Sequence, residues 1–185
     1  SYQKFLSLPE PPHSTFSQRA QHELAHLTAS INGALPMERT DALGLAVLTL
    51  RDAAAGASEE PGNSKIFRIQ ADVYRILDRV ESSIMAQYQL AVPTQQRYYQ
   101  RLFAMRQALI IDPQQLELLS SLAELYFDTG RIDLAFDMIE QALVMIRALP
   151  DSSFNDQTLQ LAQRLNQVKQ QIAPQIETVK NRIDE

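Results

Sequence analysis

The sequence predicts an all-α fold of about seven helices, with a helical repeat in its second half. Three observations lead there. Five glycines and nine prolines fall mostly between periodic segments, which is how helices and not strands are punctuated. Apolar residues recur three and four apart along those segments, and no run of alternating β-branched residues competes. Two segments also align at an offset of thirty-four residues: MRQALIIDP and IEQALVMIRALP set Ala108 and Leu109 against Ala142 and Leu143, and Met105 against Ile139. A period of that size belongs to stacked helix-turn-helix units, each unable to bury its apolar face alone.

Residues 1–13 read as an extended, turn-rich segment. A first helix follows, with Ser14 or Ser17 as N-cap and Phe16, Ala20, Leu24, Leu27 and Ile31 on one stripe, and it stops before Pro36. A second, from about Glu38 to Ala55, holds ALGLAVLTL and is apolar around most of its circumference, so it is expected to be central and buried. The loop AGASEEPGNS breaks the pattern and supplies Asn63 or Ser64 as the next cap. From there to Ala91 one long amphipathic helix carries Ile66, Ile69, Val73, Ile76, Val80 and Ile84. It would extend about 40 Å at the α-helical rise, and Pro93 ends it.

The second half resembles the tetratricopeptide repeat family. From Leu116 to Leu143 this chain has Leu119 where the family usually has tryptophan, then Leu122, Ala123, Tyr126, Gly130, Ala135, Ile139 and Ala142 in the family's order. Ala123, Ala135 and Ala142 are small enough for two antiparallel helices to approach closely, and Gly130 suits a helix C-terminus. The good repeat spans about 116–149. The unit before it keeps only its second helix, Tyr98 to Ile111, closed by Asp112 and Pro113, and its Arg101 stands where the family has a small residue.

After Pro150 the loop DSSFNDQ leads to a last helix with Leu161, Leu165, Val168, Ile172, Ile176, Val179 and Ile183. It reads as the terminal cap that a repeat array needs, the other reading being a dimer seam. Pro174 removes one backbone hydrogen bond, so a kink or a break is expected there. The parts are thus 1–13, helical 14–92, repeat-like 93–150 and capping 151–185, in one continuous TPR-like α-α superhelix.

Composition narrows the function. A formal charge of −5 and a pI near 5.2 give no basic face for nucleic acid. The absence of cysteine removes disulfides and thiolate metal sites. ALGLAVLTL is about half of the roughly 20 residues that cross a bilayer, so no membrane-spanning segment is expected. The chain opens on Ser1, as an excised or processed piece of a longer product would. There is no phosphate-binding glycine loop and no GxSxG elbow, and the aromatic residues of RYYQRLFAM read as core.

One motif speaks for chemistry. In QHELAH, His22 and His26 stand one helical turn apart with Glu23 between, the spacing by which zinc hydrolases hold a metal and activate its water. Both histidines fall opposite the apolar stripe of their helix, on the side of Arg19 and Ser30. No strand backs the helix, and nothing in the spacing of Glu38, Glu59 or Glu60 selects a third ligand. The sequence favours two solvated histidines over a zinc-dependent hydrolase, and implies no catalytic residue, metal or cofactor.

The repeat resemblance implies a protein-protein interaction scaffold. Its groove positions would be Glu117, Ser120, Glu124, Phe127 and Asp128. Family members that clamp a C-terminal carboxylate present lysine and asparagine where Ser120 and Glu124 stand here. The expected partner is instead a basic or amphipathic peptide or helix, with Phe127 as apolar anchor. A homo-oligomer, or a structural spacer within a larger chain, are the other readings.

Overall fold

The computed structural model describes residues 15–33, 37–90, 97–150 and 155–183, with side chains to residue 176. The extended segment expected at 1–13 lies outside the described residues, as do Pro36 and Pro93. Among the described residues the elements are seven α-helices and no strand: α1 (Phe16–Ile31), α2 (Arg39–Glu59), α3 (Ser64–Gln87), α4 (Tyr98–Ile111), α5 (Leu116–Asp128), α6 (Ile132–Arg147) and α7 (Asp156–Ile183). They group into two compact units, the first ending at Ile111 and the second beginning at Asp112.

In the first unit α2 packs on both α1 and α3, and α4 packs on α3. The core takes Ala20 and Leu27 from the stripe predicted for α1 and Ile66, Ile69, Val73 and Ile76 from that predicted for α3, with Leu45, Ala46 and Ala53 from α2. Leu24, Ile31 and Val80 are half-buried against it, and Val47 of α2, a helix expected to be buried nearly all round, faces outward. Each buried Leu, Ile or Val contributes on the order of 2 kcal/mol relative to exposure. Local signals set the helix ends. The N-cap of α1 is Thr15, not Ser14 or Ser17. Its hydroxyl accepts from the Gln18 N–H at 3.3 Å while the Gln18 side chain accepts from the Thr15 N–H at 3.1 Å, a reciprocal capping box. For α3 the cap is Asn63, whose side chain accepts from the Lys65 N–H.

Two ends differ from expectation. Helix α2 runs a turn past Ala55 to Glu59, because Gly56 is buried within it where a side chain would meet Ser17 and Ile66. Helix α3 stops at Gln87, short of Ala91. Gln89 takes a positive φ of 56°, and the Leu90 N–H donates to the Met85 carbonyl at 2.9 Å. This is the closing bond of a Schellman motif, with glutamine in the place usually held by glycine. Arg97, just before α4, makes a two-point pair with Glu81 of α3 at 2.6 and 3.1 Å. That hydrogen bonding raises the Arg97 pKa above its ordinary value, against an opposing effect of burial.

In the second unit α5 and α6 form a hairpin, and α7 packs mainly on α6. Ala123, Ala135 and Ala142 are all buried, as close helix approach requires, and Tyr126 is buried too. Gly130 has φ 73°, and the Arg131 N–H donates to the Tyr126 carbonyl at 2.8 Å, so the expected glycine cap closes α5. Leu165 and Ile172 of α7 are buried. The helix continues through Pro174 without the break that the proline suggests.

Candidate partner-binding surface

Helix α5 turns Leu118, Leu119, Leu122, Ala123, Leu125 and Tyr126 inward. At about 100° per residue, Glu117, Glu124 and Asp128 fall within about 40° of one another on the other side. They form one acidic stripe. Glu117 and Asp128 are exposed, while Glu124 is half-buried and pairs with Arg164 of α7 at 2.7 Å. Phe127 is half-buried at the stripe's edge.

Ser120 departs from the expected groove. It is 4% exposed and belongs to the buried set of α5. A short side chain next to Leu119 ends below the surface, so it presents nothing to a partner. Helix α7 is also tied to its neighbours by charge: besides the Arg164 pair, Lys169 of α7 bridges to Glu140 of α6 and lies 5.7 Å from the Phe136 ring centroid.

The histidine pair lies on α1. His22 is exposed and His26 half-buried, with their Nε2 atoms 3.1 Å apart and the rings edge to face at 4.6 Å. Glu23 faces the interior. Among the described residues no group of three histidine, cysteine, aspartate or glutamate side chains gathers to hold a metal ion. Glu60, one of the imagined third ligands, instead accepts from the Asn63 side chain at 2.6 Å. Arg19, expected beside the histidines, bends the other way to Asp52 of α2. Its Nε stands 3.5 Å from one carboxylate oxygen, while Arg51 holds the other at 2.7 Å.

A second surface was not legible as such. Met105 and Ala104 of RYYQRLFAM are core as expected, but Tyr99 and Phe103 are not: they are 77% and 60% exposed, and Ile110 is 71% exposed. The apolar residues of α4 are spread around most of its circumference, so counting them does not tell inside from outside. The usable signal is the thirty-four-residue offset, which sets Tyr99, Phe103, Arg106 and Ile110 against Asp133, Asp137, Glu140 and Val144 of α6.

No protein-family model matches this chain, and no curated protein matches it.

Proposed function

We propose that this chain is a non-enzymatic interaction module whose α5 surface takes a basic or amphipathic segment of a protein partner. The observation that carries the reading is the acidic stripe of Glu117, Glu124 and Asp128 beside Phe127, on a helix pair built with the small residues of a tetratricopeptide-like repeat. Two exposed carboxylates steer a cationic segment and fix its register. Glu124 exchanges Arg164 for a basic group of the partner, and Phe127 offers the apolar contact that charge alone lacks. Without Ser120 the surface is a stripe more than a pocket, and it suits a helix laid along α5 better than a peptide end inserted into it.

Titration of a fluorescent amphipathic lysine/leucine helix tests this. Saturable binding should weaken with salt, and the double substitution Glu117→Lys/Asp128→Lys should weaken it by about tenfold or more, each rim charge being worth about 1 kcal/mol. Binding indifferent to that double substitution removes the α5 stripe from the reading. The hydrolase reading rests on the facing imidazoles of His22 and His26, which supply two of the three protein ligands usual in a catalytic zinc site. Stoichiometric zinc in untagged protein, lost on His26→Ala, would favour it over the interaction module.

A further inference from the structure

We propose that the exposed face of α4 is a self-association surface, on which a second copy of this chain docks its own α4 antiparallel. Tyr99, Phe103, Arg106 and Ile110 are all exposed. Their spacing of four, three and four residues keeps them within about 60° of arc, one continuous seam along the helix. The opposite side of α4 is already used, since Ala104, Met105 and Ala108 are buried and the helix packs on α3. A helix apolar around most of its circumference is suited to burial on more than one side.

The protein contains its own control. Thirty-four residues downstream the same positions of α6 are Asp133, Asp137, Glu140 and Val144, with Asp133 and Asp137 exposed. Where this face meets water or α7, three of the four positions are acids, and the fourth, Val144, is 56% exposed. On α4 it supplies two aromatics, an isoleucine and an arginine, the residue types enriched at interfaces apart from the aliphatic one.

The order of those four residues selects the occupant. Antiparallel pairing about the point between Ala104 and Met105 sets Tyr99 against Ile110 of the second copy and, in the same register, Phe103 against Arg106 of the second copy. One register therefore fills all four positions on both helices, as a two-fold interface requires. Each guanidinium then lies over a phenyl ring, a favourable cation–π pairing. Parallel pairing would set Arg106 on Arg106 and repel. The seam is short. Four side chains on each copy bury roughly 600–800 Å² in total, below the standard size of about 1,600 Å², which places the dimer in the weak, transient class.

The full chain is tested by sedimentation from about 20 µM to about 1 mM, the range in which weak, transient association is read. Wild type should pass from monomer to dimer. Phe103→Arg, which faces Arg106 of the second copy, should stay monomeric throughout. Phe103→Glu is as polar but faces the same arginine favourably, so it should still dimerise, more weakly and with a dependence on salt. Phe103 is exposed, so circular dichroism should report unchanged helicity for both variants. The chain has no cysteine, so register is read by mixing Tyr99→Cys and Ile110→Cys proteins under mild oxidation: the mixed disulfide should exceed either same-site disulfide. A wild-type monomer at the highest concentration overturns the proposal and leaves α4 to a different protein. Dimers unaffected by Phe103→Arg, or dominant same-site disulfides, overturn it equally.

Discussion

Asp52 is an acid on the buried side of α2, 1% exposed, with Arg19 and Arg51 on its two carboxylate oxygens. A buried carboxylate is tolerable only while it is paired, and truncation strands the cation that was matched to it. Asp52→Ala should therefore lower stability by about 3 kcal/mol in urea denaturation, whereas Arg51→Ala, at a largely exposed side chain, should cost under about 1 kcal/mol. Equal losses would mean that the pair with Arg19 contributes nothing. Apolar periodicity could not reveal this contact, because it locates the inward face of a helix and says nothing of an acid placed on it. The cap of α1 was closer to legible: Thr15 and Gln18 spell the capping-box spacing, but Ser14 and Ser17 are equally good cap residues by type. Arg97 belongs to the same scale. Its raised pKa means that the pair with Glu81 contributes fully below the unfolded arginine pKa and is lost only as pH rises through the folded value. Arg97→Met should cost about 1 kcal/mol for a partly exposed pair, equally at mildly acidic and mildly alkaline pH.

At the scale of elements, α2 lasts longer than its sequence suggests because Gly56 serves packing and not termination. A Cβ there would lie 3.2 Å from the Ser17 backbone nitrogen, 3.1 Å from its hydroxyl and 3.4 Å from the Ile66 side chain. Helices α1 and α3 thus press on α2 at one point, and backbone cannot swing aside as a side-chain tip can. Gly56→Val should cost about 2–3 kcal/mol despite relieving a glycine in a helix, since overpacking outweighs the propensity gain of about 1 kcal/mol. Increased thermal stability of that variant would show that the three helices have room to part. The α5–α6 hairpin was legible because its small residues and Gly130 have positional reasons that survive without tertiary context. The end of α3 was not, since nothing about Gln89 as a residue type announces a left-handed backbone. Nor was the environment of α4, whose composition fits a buried helix although Tyr99, Phe103 and Ile110 face outward.

Over the whole molecule the two proposed surfaces lie on different units, the α4 seam on the first and the α5 stripe on the second. A dimer formed through α4 carries two acidic stripes, so its engagement of a partner depends on the partner's density. On a surface coated densely with the basic helix, the second engagement is intramolecular, at an effective concentration set by the distance between the two stripes. Wild-type protein applied at a concentration at which sedimentation finds the dimer should leave a dense coating at least about tenfold more slowly than a sparse one. Phe103→Arg should remove that difference while leaving the affinity for free peptide unchanged. Glu117→Lys/Asp128→Lys should do the converse, losing the peptide but keeping the sedimentation behaviour of the dimer. The four outcomes separate the two proposals, because each substitution touches one surface. A Phe103→Arg protein that also fails to bind free peptide would make α4 the docking helix itself. In that case the acids of α5 would be an ordinary solvated face, of the kind that net negative charge distributes over any soluble helix.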